Sequence, residues 1–198
     1  MPFENPQHFQ NLLVTQLRQI YPVPTPIESE WRAIQNIRGV YSPRIDVVVG
    51  PFSTRRGGNC IEQYDNLMDL SNEFINNLLI MHQQNVNLYR PNDEQLNQLQ
   101  YIPQFDELKQ HNANARCLLA IEIENQVSRK HLLGGAVNAA ALGRLGIVVG
   151  WTDNKVKALV RLQTYWDFLA SVDKNTFSTA NLLILSPQQL YDAINFRG

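Results

Sequence analysis

The sequence predicts an α/β fold, and three observations carry that prediction. Short apolar or β-branched runs at 44–52, 117–124, 146–151 and 180–185 have the composition of strands. Between and around them, apolar residues recur three and four apart, the period of an amphipathic helix. One helical segment, 128–142, is rich in small residues, so it can lie close on a sheet. With 198 residues the chain is long enough for one buried core, and it reads as a single domain over 1–198 with no internal repeat.

Taken in order, residues 5–20 carry Phe9, Leu12, Leu13, Leu17 and Ile20 at helical spacing, until Pro22, Pro24 and Pro26 stop the helix. A second short helix is expected from Pro26 through Glu28, Glu30, Trp31 and Ile34, because proline suits a first turn and acids suit the positive end of the helix dipole. Residues 36–41 and 44–52 then read as two strands turning at Ser42-Pro43, and 55–59 as a loop. From 61 to about 88 the pattern is strongly helical, and it continues more weakly to His111, a helical excursion between two core strands. Ser128 is the expected cap of the small-residue helix, which ends at Gly143 or Gly146. A buried strand at 146–151, a helix at 155–170, a strand at 180–185 and a helix at 187–196 complete the chain.

Bulk properties exclude several classes. The net charge of −1 argues against a protein that coats nucleic acid by charge alone, without excluding a local basic groove. No apolar run reaches the roughly 18 residues of a membrane span. The segment Met1-Pro2-Phe3-Glu4-Asn5 lacks the basic start and apolar stretch of a secretory signal, so the expectation is a cytoplasmic protein without a membrane partner. Cys60 and Cys117 lie far apart, and no Cys or His pair has zinc-ligand spacing. The four histidines are dispersed, and no Ser-His-Asp or Cys-His set declares itself.

The chemistry concentrates in Cys117-Leu118-Leu119-Ala120-Ile121-Glu122-Ile123-Glu124. Strand alternation puts Leu119, Ile121 and Ile123 on one face and Ala120, Glu122 and Glu124 on the other. Two acids so close repel unless a cation lies between them, and a hard divalent ion such as Mg2+ prefers carboxylate oxygens. Asp46, at the entry of the other strand, supplies a third carboxylate. The alternative is a solvent-facing sheet side on which Arg129 or Lys130 pairs with the glutamates. Lys155, Lys157 and Arg161 form a modest basic helix face of the kind that ordinarily serves solubility, and Gly134-Gly135 is explained by close packing, because it lies inside a helix and not in a phosphate loop. Asn138, on the same helix, is free to cap a strand or to touch a ligand.

The order of an Asp-bearing strand, a Glu-x-Glu strand, a small-residue helix and an apolar strand resembles the PD-(D/E)XK nuclease superfamily, over roughly residues 26–151. The family's first motif is matched by Pro43-Arg44-Ile45-Asp46, with one extra residue between proline and aspartate. Its other motif resembles Glu122-Ile123-Glu124, with glutamate where the family usually has lysine, a variant that some restriction endonucleases use. The resemblance implies a restriction-endonuclease-like mixed central sheet flanked by helices, with a helical insertion at about 61–111 between the Asp-bearing strand and the Glu-x-Glu strand. It implies a metal-dependent DNA endonuclease of the type II restriction kind, acting as a homodimer with one site per strand. Asp46, Glu122, the Ile123 carbonyl and Glu124 would then hold Mg2+, or Mn2+. Glu124 would orient the attacking water, and Lys130 would stand in for the displaced positive group. Glu30 is a further candidate acid, and Arg44, Arg55 and Arg56 are candidate phosphate contacts. The rival expectations are a nucleic-acid-binding or regulatory protein that has kept the fold and lost the chemistry, and a nuclease acting on RNA or repair intermediates.

Overall fold

In the computed structural model, which describes residues 3–34, 42–54, 58–99, 101–125, 129–174 and 177–196, five strands form one sheet. Helix α1 (Pro6–Gln16) opens on Asn5, whose side chain accepts the His8 N–H, and it ends in a 3-10 turn at Leu17–Gln19. Strands β1 (Ile27–Arg32) and β2 (Arg44–Val49) follow as an antiparallel pair. The helical excursion comes next: α2 (Ile61–Leu70), α3 (Asn72–Tyr89), α4 (Glu94–Leu99) and α5 (Phe105–Leu108). The chain then alternates β3 (Cys117–Glu124), α6 (Arg129–Leu142), β4 (Gly143–Gly150), α7 (Asp153–Ser171), β5 (Leu182–Leu185) and α8 (Pro187–Asn195).

The sheet order is β1-β2-β3-β4-β5, antiparallel across β1, β2 and β3 and parallel across β3, β4 and β5. It is therefore mixed, and helices cover both faces. On one side Phe9, Leu13, Met68, Ile75, Leu78 and Leu190 bring α1, α2, α3 and α8 against Val47, Ile121 and Ile147. On the other, Leu132, Ala136, Ala139, Val156 and Leu159 bring α6 and α7 against Ala120, Val148 and Ile184. The excursion leaves after β2 and returns at β3, its antiparallel neighbour, as its position between two core strands predicts. Buried Arg144 on β4 pins it to the sheet, donating to Asp65 of α2 and to the carbonyls of Lys109 and His111.

The expected helix at 26–34 is instead strand β1. Ile27 and Trp31, both buried and four apart, mimic a helical stripe, but they lie on opposite faces of the sheet. Ile27 packs with Val47 and Val49, whereas Trp31 packs with Ile45 and Val48. The change of face occurs at Glu30, whose φ of 56° is left-handed. Strand β2 makes the same change: Ile45 and Val47, two apart, belong to opposite cores. The register Ser29↔Val47 and Trp31↔Ile45 sets Glu30 against Asp46, so both strands turn over at these two acids. The other expected elements hold to within a few residues, with the 61–88 helix divided at Ser71. The strand expected at 36–41, together with Arg55, Arg56 and Ser128, lies outside the described residues.

Helix α6 lies close to the sheet, because a Cβ on Gly146 of β4 would come 2.7 Å from the Ala139 carbonyl carbon. The open edge of β5 is closed by α3, where His82 Nδ1 accepts the Ile184 N–H at 3.0 Å and Asn85 donates to the Ile184 carbonyl at 2.9 Å. Burial pushes the His82 imidazole down to about 4, so the folded chain holds it neutral. The unfolded chain protonates it near the ordinary value of 6.5, and stability is therefore expected to fall as pH drops from about 6.5 to about 4. His82→Asn is expected to flatten this limb by roughly 2–3 kcal/mol in urea titrations at the two ends of the window. An unchanged slope would exclude His82 as its source.

Candidate active site

The site begins where β2 and β3 part. Their pairing runs from Val49↔Leu119 to Val47↔Ile121 and stops there. Beyond it the Asp46 side chain takes over from backbone, its Oδ2 accepting the Ile123 N–H at 2.7 Å. The reversal of β2 at Asp46 and the parting of the strands thus place one carboxylate against the end of β3. Strand alternation brings Glu122 and Glu124 to the α6 face, and both are buried, at 7% and 8% exposure. The solvent-facing reading of these glutamates is excluded.

Around this pair the acids raise one another. Burial, then Asp46 and Glu124, push the Glu122 carboxyl up to about 9, against a hydrogen bond from Asn138. Glu124 is raised by burial and by Asp46, against the fields of His131 and Lys155. Asp46 is raised by burial and by Glu30, against the Ile123 N–H and the Arg44 charge. Glu30, placed by β1 and not by a helix, receives Arg44 Nε at 2.6 Å and the Gln10 amide at 2.9 Å. The same amide donates to the Asp46 carbonyl at 2.8 Å, so α1 ties the two facing acids together.

Helix α6 addresses the glutamates through the stripe His131, Gly135 and Asn138, spaced four and three apart. A Cβ on Gly135 would sit 2.1 Å from Glu124 Oε1, so glycine is what lets that carboxylate fold over the helix, whereas Gly134 faces open space. The stripe of α6 that runs through Lys130, Gly134, Val137 and Ala141 is not the sheet-facing one. Leu132, Ala136, Ala139 and Ala140 are, and Lys130 is exposed in the first turn. His131 and Lys155 both act to lower the Glu124 carboxyl, and Lys155 Nζ reaches Asn125 Oδ1 at 3.4 Å.

Of the expected site residues, Asp46, Glu122, Ile123, Glu124, Glu30 and Arg44 come together. Gln10, His131, Asn138 and Lys155 join them as contacts from remote or amphipathic segments. Only Asn138 and Lys155 stood out in the sequence, and neither with this role. The oxygen-only chemistry of the donor set fits a hard divalent cation. Even so, among the described residues no group of three or more His, Cys, Asp or Glu side chains is arranged to hold a metal ion. No family model matches the chain, and neither does any curated protein or solved structure.

Glu122 ionises near 4.5 when unfolded and near 9 when folded, so the folded chain binds the extra proton between those values. Its contribution to stability is complete below the lower value and is lost as pH rises through the upper one. Glu122→Gln keeps the shape and removes the ionisation. It is expected to stabilise the chain by roughly 2–4 kcal/mol near pH 9 and by less than about 1 kcal/mol near pH 5, read by urea unfolding. Equal effects at both pH values would remove Glu122 as a buried acid held by its neighbours.

Proposed function

We propose that the chain is a metal-dependent DNA endonuclease of the restriction-endonuclease-like fold. The observation that carries this reading is the buried Glu122 carboxyl, raised to about 9 beside Asp46 and Glu124 where the β2–β3 pairing ends. Such a cluster of like acids costs stability as pH rises and gains from a divalent cation, the pattern of a site kept for chemistry. Asp46, Glu122 and the Ile123 carbonyl would hold Mg2+, with Mn2+ as a substitute. Bound there, the ion supplies charge to a phosphoryl oxygen and acidifies a water.

The remaining tasks fall to the chain's own side chains. The Ile123 N–H fixes the Asp46 carboxylate, leaving Oδ1 for a ligand. Glu124, raised by burial, is the base that orients the attacking water and takes its proton. Lys155 supplies the positive field that the Glu-x-Glu variant lacks, with His131 beside it, in the place for which the resemblance suggested Lys130. Arg44, paired with Glu30 beside Asp46, would be a phosphate contact. Cutting both strands of a duplex would use a homodimer, one site per strand.

A second reading, a nucleic-acid-binding protein without chemistry, is favoured by one observation: no described group of acids is arranged as a metal cage. Incubating the protein with supercoiled plasmid, and in parallel with structured RNA, in Mg2+, Mn2+ or EDTA separates the two. Metal-dependent DNA fragments that vanish in Glu122→Gln are the expected result. Intact substrates with every metal would leave the binding protein, and cleavage confined to RNA would change the substrate.

Gly135→Ala is expected to slow cleavage by about tenfold or more by displacing Glu124, on the scale of losses from small misplacements in active sites. Gly134→Ala, with open space at its Cβ, is expected to cleave at the parent rate. Equal rates in both variants would take Glu124 out of the mechanism.

A further inference from the structure

Helix α7 leads away from the acid cluster, and its outer face carries features that the catalytic reading does not use. A groove of about 530 Å³ runs between α6 and α7, lined by Leu132, Asn154, Lys157, Arg161, Leu162 and Tyr165. A second, of about 290 Å³, continues it past Phe168 to Pro91, and Arg161 and Tyr165 line both. Together they follow α7 from Asn154 to Phe168, about 21 Å at the helical rise.

The chemistry of this track is specific in two ways. Lys157 and Arg161 are exposed, one helical turn apart, and among the described residues neither makes an ion pair, although Asp153 lies one turn before Lys157. Two like charges at that spacing repel, and an anion lying across both removes the cost. Beyond them Tyr165 and Phe168 expose large rings, 54% and 41% accessible, beside an apolar floor. Cations followed by flat rings along one groove are what a chain of phosphates bearing bases requires. The track also starts at the site, because Asn154 adjoins Lys155, which meets Asn125 next to Glu124.

We propose that the α6–α7 groove binds a single strand of nucleic acid, with Lys157 and Arg161 on successive phosphates and Tyr165 stacked on a base, guiding the strand to or from the acid cluster. The inference rests on the phosphodiester reading of that cluster for its direction, but its binding step needs neither metal nor cleavage. An acidic peptide would satisfy the cations and leave the rings unused.

The test is fluorescence anisotropy of a labelled 20-nucleotide oligothymidylate with the full-length chain in EDTA, over a series of salt concentrations. Lys157→Gln/Arg161→Gln is expected to weaken binding at least tenfold and to lower the slope of log affinity against log salt by about 1.4, two single-strand phosphate contacts. Tyr165→Leu is expected to weaken it about tenfold, the loss of one stacked base, with the slope unchanged. No binding by the parent at low salt, or parent-like binding by both variants, would overturn the groove as a strand site. So would displacement of the oligonucleotide by polyglutamate of equal charge with no effect of Tyr165→Leu. The outcome is independent of catalysis: Glu122→Gln that binds the strand normally but leaves plasmid intact separates a groove from its reaction, and plasmid cleavage without groove binding separates them the other way.

Discussion

The hydrogen bond from the Ile123 N–H to the Asp46 carboxylate is the contact on which the candidate site depends. It lies where the β2–β3 ladder ends, and it replaces a backbone acceptor by a charged side chain. An N–H at the end of a buried strand needs a partner, and leaving it without one costs more than the bond itself contributes. Because a carboxylate fills that need, the strands can diverge without leaving an orphan donor. Beyond the last paired residues, Glu122 and Glu124 turn to the α6 face, beside the Asp46 carboxylate.

The same place holds the main irregularity of the sheet. Strands β1 and β2 both exchange faces at Glu30 and Asp46, so each buries one hydrophobe per core across the change. A left-handed glutamate is costly, on the order of 1–2 kcal/mol. Burial of Ile27 and Trp31 in separate cores offsets that cost, and Gln10 bridges the two strands at the acids. The fold thus concentrates strain, like charge and a missing ladder bond within one corner. Two well-packed layers hold that corner in place.

The rest of the molecule supplies rigidity around it. The close approach of α6 to β4 at Ala139 and Gly146 sets the height of α6 over the sheet, and with it the position of the His131, Gly135 and Asn138 stripe above the glutamates. Arg144 anchors the helical excursion, and His82 with Asn85 closes the far edge. These polar groups are buried and structural, whereas those at the acid cluster oppose one another. The contrast separates residues that serve the fold from residues that the fold must tolerate.

Much of this was legible in the chain itself. Apolar periodicity determined nearly every helix, and apolar or β-branched runs determined β2, β3, β4 and β5, because burial of a face is a local pattern. The alternation of Cys117–Glu124 also set the two glutamates on one side, since a strand has only two faces. Tertiary structure alone decided the rest. Ile27 and Trp31 read as one helical stripe until the register with β2 assigned them to different cores. Gln10 and His131 carry no local signal, and Lys155 carries only that of an ordinary basic helix face, because their role comes from elements distant in sequence that meet at one corner. His131 acts on Glu124 only because α6 lies where its small residues meet Gly146, a placement that the sequence of the helix does not state.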